Sequence, residues 1–341
     1  MNSQESNLFS FGNINRLILF GGGAIMVDFL KQSKSLEIVV FTAERFLSSK
    51  IDLQGTIFED FLKQKNLPYV VSPNINNDQR VDEFIDECTL GLSISAPWII
   101  KQSFIDKFEK GKLINIHSAK LPEYRGGGGS TWKILNGEKK GGFTIHFITT
   151  GIDDGDIVYA QEYEYPEDCI YPEQRDKIDL EKCKKGLTHL FDKIEKNESF
   201  SIESQHEEIS GYFPRLNTEK NAFLNWDWKI DDIVSFVRAF SYPYEGSKTY
   251  CNGRLYKLKM VKVGRKSYFH PFLNGLVIRK NESELVVAHT EGEIIINGIA
   301  DVDGNEALSK IRLGDRFQTE KSKIEEAMNF RAIYTAKGLK N

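Results

Sequence analysis

Residues 16–30 read Arg-Leu-Ile-Leu-Phe-Gly-Gly-Gly-Ala-Ile-Met-Val-Asp-Phe-Leu, and the change of rhythm inside them decides the fold class. A short apolar run ends at Gly21-Gly22-Gly23, and the apolar residues of 24–30 then recur at helical spacing, so the stretch reads as strand, tight turn and helix. Working outward, Leu36 to Phe41 forms a second apolar run. Ile57, Phe58, Phe61 and Leu62 share one helix face, and Tyr69-Val70-Val71 follows Pro68. Two more runs, Leu90 to Ser95 and Lys112 to His117, flank a helix expected near Lys101 to Phe108. Strands alternating with helices imply an α/β, Rossmann-like, mostly parallel sheet with helices on both faces. An active site on such a sheet is expected beyond the carboxyl ends of its strands.

The chain has 341 residues, enough for about two domains at ~150 residues each. Lys plus Arg number 45 and Asp plus Glu 49, a formal charge of −4, which argues against a general nucleic-acid binder. With 40% hydrophobic and 28% charged residues, the composition is that of an ordinary globular protein rather than a disordered or fibrous one. Cys88, Cys169, Cys183 and Cys251 include no C-x-x-C pair, so neither a zinc ribbon nor a disulfide scaffold is indicated, and a reducing, cytoplasmic setting fits. Met1 to Gly12 is polar, and no apolar run reaches the ~18 residues of a membrane span, so neither secretion nor membrane insertion is expected.

After about Ile202 the character changes. Ile230 to Phe240 has helical periodicity, and Leu255 to Val263, Gly275 to Arg279, Glu284 to Ala288 and Glu293 to Ile296 read as closely spaced strands, with Asn252-Gly253 and Glu291-Gly292 as turns. The expected organisation is a catalytic domain over 1–205, a linker over 206–222, a small β domain over 223–304, and a partly helical extension over 305–341 whose charged stretch Lys321 to Phe330 has no assigned place.

Gly21-Gly22-Gly23 is a weak nucleotide motif, because a dinucleotide fingerprint wants a small residue where Met26 stands. Glu44 falls roughly where a ribose-binding acid would, which keeps an NAD-linked reading open. A turn that permits close backbone approach is the favoured account.

The chemistry concentrates downstream. Asn115 and His117 are two apart at the end of an expected strand, so both side chains share a face at the rim of the sheet. An amide and an imidazole together suit a reaction through a tetrahedral oxyanion, while an ordinary hydrogen-bonded polar pair is the plain alternative. Phe143 to Phe147 alternates as a strand and leads into Gly151-Ile152-Asp153-Asp154-Gly155-Asp156. The aspartate spacing does not fit a calcium loop, and no metal is expected. A turn rich in Asp and Gly is the plain reading, and the alternative is that Asp153 orients or charges His117.

The three motifs Asn115-x-His117, Leu121-Pro122-x-Tyr124-Arg125-Gly126 and Gly151 to Asp156, in this order, resemble the folate-dependent formyltransferases. That family includes methionyl-tRNA formyltransferase, glycinamide ribonucleotide transformylase and the nucleotide-sugar N-formyltransferases. The resemblance implies Asn115, His117 and Asp153 as the catalytic trio and 10-formyltetrahydrofolate as formyl donor. It implies a pterin pocket formed by Ser95, Ala96, Pro97, Trp98, Ile99, Ile100, Ile152 and Asp156. It also makes residues 223–304 an OB-like β-barrel and implies a homodimer.

Two departures from the tRNA enzymes stand out. Gly126 to Gly129 followed by Ser130-Thr131-Trp132 replaces their Arg-Gly-Ala-x-Pro run, and Ser118-Ala119-Lys120 differs from their Gly-Ser-Leu. A glycine-rich loop can present backbone NH groups to a phosphate, with Arg125 or Lys120 adding charge; a plain surface loop is the alternative. Lys120, Arg125, Gly126, Gly127 and Tyr244 are therefore candidate substrate contacts, with Tyr242 and Trp132 as further aromatic candidates. The acidic balance favours a nucleotide-linked amino sugar, dTDP or UDP, in surface polysaccharide synthesis, over initiator tRNA. A non-catalytic or NAD-linked binding protein is the third reading. His146, His189, His206, His270 and His289 lack motif partners and are read as structural or solvated.

Overall fold

The computed structural model describes residues 7–31, 36–52, 55–127 and 129–340. The residue-16 run becomes β1 (Arg16–Gly21), an interior strand of a seven-stranded sheet. The others are β2 (Glu37–Thr42), β3 (Tyr69–Val71), β4 (Thr89–Ile94), β5 (Leu113–His117), β6 (Lys140–Phe147) and β7 (Ile157–Glu164). The order is β3-β2-β1-β4-β5-β6-β7. The first five strands are parallel, β6 runs against β5, and β7 runs against β6. Parallel strands buried on both faces need apolar residues at every position, and β1 shows why. Leu17 and Leu19 enter one core with Phe29, Leu187 and Leu190, while Ile18 and Phe20 enter the other with Phe41, Phe104 and Phe108.

The helices are α1 (Ala24–Leu30), α2 (Phe58–Gln64), α3 (Gly129–Leu135) and the 24-residue α4 (Pro172–Glu195). α1 and α4 cover the same face, joined by Phe29 and Phe191 with ring centroids 4.9 Å apart. Pro172 at the first turn, with Gln174 accepting from the Tyr171 amide, starts α4. α4 occupies a stretch where the sequence reading places no element: its Lys and Glu density hides the stripe Cys183, Leu187, Leu190, Phe191 and Ile194 that it buries.

Gly21 accounts for the first glycine cluster. Its φ is +119°, and a Cβ there would lie 2.1 Å from the Ile94 carbonyl oxygen and 2.8 Å from the Ala96 nitrogen. The glycine is needed so that the chain leaving β4 can pass over the end of β1.

The second domain packs α5 (Ile230–Ala239) on a six-stranded antiparallel sheet. Its strands are β8 (Ser247–Cys251), β9 (Arg254–Val263), β10 (Val277–Lys280), β11 (Leu285–His289), β12 (Gly292–Ala300) and β13 (Phe317–Gln318), in the order β10-β11-β12-β9-β8-β13. The edges approach each other: Val277 donates to Asp315 O at 2.8 Å, and Phe317 donates to Gly275 O at 2.8 Å. Because β13 and the buried Ala307, Leu308 and Ile311 complete this core, the β domain runs to Gln318 rather than ending at residue 304. Ile134 of α3 belongs to the same core, which ties the two domains together. Beyond it, α6 (Lys321–Asn329) is anchored by the Asn221 amide, which donates to Ala327 O at 2.7 Å.

Candidate active site

Asn115 and His117 leave the carboxyl end of β5 on one face, as their spacing requires, and line a cavity of about 960 Å³. His117 Nε2 lies 2.7 Å from the Tyr124 carbonyl oxygen, so that nitrogen carries the proton of the neutral ring. Nδ1 is left as the basic nitrogen, 3.6 Å from Asp153 Oδ2. Burial pushes the His117 imidazole below its usual value of 6.5, and Asp153 opposes that shift without reversing it. Of the two roles expected for Asp153, orienting or charging His117, a shift set by burial favours the orienting one.

Asp153 itself sits at φ +50° in the loop after β6. Burial would raise its carboxyl, but His117, His146 and the Gly126 amide outweigh that and hold it at about 2. Gly126 N–H donates to Oδ2 at 2.9 Å. Gln205 fixes the loop from behind, donating to Asp153 O at 2.9 Å and Gly155 O at 2.7 Å. Its side-chain oxygen accepts from Arg125 at 2.8 Å, and Arg125 also pairs with Glu207 at 2.7 Å.

His146, read from sequence as structural or solvated, stands in the site. It is 3% exposed, directly opposite Asn115 across the β5/β6 register. Its Nδ1 lies 2.9 Å from Phe147 O, which places the proton there. Its Nε2 then accepts from the Asn115 amide at 3.1 Å and stands 3.5 Å from Asp153 Oδ1. The sequence signal was the polar alternation of Thr144 and His146 on a strand leading into the aspartate loop.

Of the other expected residues, Ser95, Ala96, Trp98, Ile99, Ile100 and Ile152 line the cavity, as do Gly126, Gly127 and Tyr244; Pro97 and Asp156 do not. Ile99 and Ile152 are 74% and 47% exposed, and Trp98 Nε1 is buried without a hydrogen-bond partner. An apolar slot with an unused donor suits a flat heteroaromatic ring.

Two N–H groups of the glycine run are spent within the protein. Gly126 N–H goes to Asp153 and Gly127 N–H to Phe213 O at 2.8 Å, while Gly128 lies outside the described residues. Arg125 is buried against Gln205 and Glu207. Lys120 pairs with Glu123 at 2.7 Å and Glu162 at 3.3 Å, and neither cation lines the cavity. The glycines serve packing instead: Tyr212–Phe213 runs parallel to Arg125–Gly126, and a Cβ on Gly127 would lie 2.6 Å from Arg215 Cα. Arg45, Arg215 and Tyr334 also line the cavity; about 290 residues of chain separate the first from the last, and sequence reading singled out none of them.

An amide, a buried imidazole and a low-pKa carboxylate gathered at the carboxyl end of β5, on a Rossmann-like scaffold, are groups suited to acyl transfer. The formyl transferase model matches residues 24–169 and the formyl transferase C-terminal domain model residues 217–309, and the chain belongs to the formyl transferase family. It is 26% identical over 239 residues to methionyl-tRNA formyltransferase of Clostridium tetani, covering 69% of this chain and 74% of that one. It is 28% identical over 237 residues to the Acetivibrio thermocellus enzyme, covering 69% and 74%. Among solved structures, WlaRD, a sugar 3N-formyl transferase in the presence of dTDP and 5-N-formyl-THF, superposes with TM-score 0.65 at 22% identity, over 84% of this chain and 98% of that one. The Helicobacter canadensis N-formyltransferase in complex with folinic acid and dTDP-3-aminofucose gives 0.65 at 19%, over 84% and 100%. At those identities the superpositions speak for the fold.

Proposed function

We propose that this enzyme transfers the formyl group of 10-formyltetrahydrofolate to the amine of a dTDP- or UDP-linked amino-dideoxy sugar. The observation that carries the reading is that the Asn115, His117, Asp153 constellation shares one cavity with two kinds of lining residue: the apolar Trp98, Ile99 and Ile152, and the cationic and aromatic Arg45, Arg215, Phe240, Tyr244 and Tyr334.

The slot, with the unpartnered Trp98 Nε1, fits the donor's pterin, and Trp98, Ile99, Ile100 and Ile152 would hold it. Bound there, the folate supplies an electrophilic formyl carbon and a nitrogen leaving group. Asn115, whose amide is anchored on His146, has its second N–H hydrogen for the oxygen that becomes negative as the amine adds. His117 accepts the amine's proton at Nδ1, where Asp153 stabilises the imidazolium, and returns a proton to the departing nitrogen. Arg125 braces the aspartate loop through Gln205.

The test is formyl transfer from 10-formyltetrahydrofolate to a panel of dTDP- and UDP-linked amino sugars, with initiator methionyl-tRNA alongside, read by mass spectrometry. A formylated sugar and an unchanged tRNA are expected. The identity to methionyl-tRNA formyltransferases supports a second reading, with tRNA as acceptor, and tRNA formylation alone would replace the first by the second. The packing role of Gly21 supports the plain-turn account of the first glycine cluster over an NAD-linked reading.

A further inference from the structure

We propose that Arg45 and Arg215, with Tyr334 of the C-terminal tail, form the subsite that grips the diphosphate of the acceptor. This rests on the nucleotide-sugar reading and adds where its charge is bound.

Both arginines line the cavity that holds the catalytic trio. Arg16, Arg80, Arg125 and Arg279 each reach a carboxylate. Among the described residues, Arg45 and Arg215 have none within 4 Å, and Arg45 Nε is buried without any hydrogen-bond partner. Each guanidinium instead lies over a ring, Arg45 at 4.9 Å from the Phe46 centroid and Arg215 at 4.8 Å from that of Tyr334. Stacking occupies the face of a guanidinium and leaves its in-plane N–H groups free for bidentate bonds to an oxyanion.

The two cations share this one cavity. Burial lowers the Arg45 pKa, Arg215 lowers it further, and Tyr334 partly offsets both. Asp153 is the only carboxylate lining the cavity among the described residues, and it is engaged with His117, His146 and Gly126. Two like charges with no internal counter-ion call for an anionic ligand of matching charge. Phe46, Phe240 and Tyr244 line the same cavity and offer apolar faces to a nucleoside beside that charge. Arg215 is brought there by the glycine run, whose missing Cβ at Gly127 admits the Arg215 backbone. Tyr334 comes from the two-stranded hairpin at Tyr334–Leu339, beyond the matched C-terminal domain.

The experiment is isothermal titration of the full chain with dTDP, thymidine and folinic acid, for wild type, Arg45→Ala, Arg215→Ala, Arg215→Lys, Tyr334→Ala and the double arginine variant. Each arginine loss is expected to weaken dTDP binding about tenfold or more, the scale of a charge-assisted contact. Arg215→Lys should restore part of the loss, and Tyr334→Ala should give a smaller one. Thymidine and folinic acid binding should not change, which also shows that the variants are folded. If the double variant binds dTDP like wild type, the subsite is wrong and the acceptor reading stands. If folinic acid weakens instead, the arginines serve the donor's glutamate tail, and the proposal is overturned. If wild type binds folinic acid but neither dTDP nor UDP, which is titrated alongside it, the acceptor reading fails and takes the subsite with it.

Discussion

Asn115 and His146 face each other across adjacent antiparallel strands, and the Asn115 amide nitrogen lies 3.1 Å from His146 Nε2. The imidazole accepts, so the amide cannot rotate to present its oxygen inward without losing that bond. A side chain from the neighbouring strand therefore sets the polarity of the group that meets the oxyanion.

His146→Leu removes the acceptor while keeping the site apolar and filled. We expect kcat to fall about tenfold to a hundredfold, within the range for disturbing an oxyanion donor, with KM for the donor little changed. His146→Gln supplies a carbonyl that can accept the same bond and should recover part of the rate. Steady-state kinetics of the two variants checks this; equal rates in His146→Leu and wild type would remove His146 from the site's function.

His117 connects activity and stability to pH. Its folded pKa is depressed by burial below the unfolded value of 6.5, so the unfolded chain binds the proton more readily. The stability linked to this group is complete above pH 6.5 and is lost as pH falls from there through the folded value. Melting temperature should drop on acidification below 6.5 and drop less in His117→Gln. The catalytic base stays neutral through the same range, so the rise of kcat/KM through neutral pH should follow the acceptor amine rather than His117. In Asp153→Asn, the negative charge that opposes the effect of burial on His117 is gone. The His117 pKa falls further and kcat falls, about a hundredfold by analogy with other general-base losses.

Much of this was legible in the chain. The β1 to β5 pattern, the Asn115-x-His117 spacing and the short strands of the second domain follow from local periodicity, which the backbone geometry enforces at each position. The long-range arrangements were not. His146 gains its role only through register with Asn115, and Arg45, Arg215 and Tyr334 meet only after the domains close. The charge expected at Lys120 and Arg125 is consumed by Glu123, Glu162 and Glu207, a pairing that one-dimensional reading cannot see.

Gly127 tests the packing account of the glycine run. A methyl group there would meet Arg215 Cα at 2.6 Å, and the obstacle is backbone, which cannot swing aside. Gly127→Ala should cost about 1–3 kcal/mol, the usual scale of overpacking, measured by urea denaturation. It should also weaken dTDP binding while folinic acid binding is retained. A variant as stable as wild type would mean that residues 211–215 adjust freely.

Under the site lies a buried ion pair whose two halves are not equivalent. Lys133, 2% exposed, donates to Asp179 Oδ2 at 3.2 Å and to Ser118 O at 3.0 Å, next to His117. Asp179 also accepts from Tyr163 and Tyr165 at 2.7 and 2.6 Å, and burial followed by that carboxylate raises both phenols. Asp179→Ala strands an ammonium and two hydroxyls, and should cost about 3–5 kcal/mol, the scale for leaving a buried charge unpaired. Lys133→Met leaves the carboxylate with its two phenolic donors and should cost clearly less, while freeing the Ser118 carbonyl and lowering kcat. The double variant Lys133→Met, Asp179→Leu should be more stable than Asp179→Ala alone. Urea unfolding of the three variants orders them, and an equal loss in both single variants would show that the tyrosines do not hold the carboxylate.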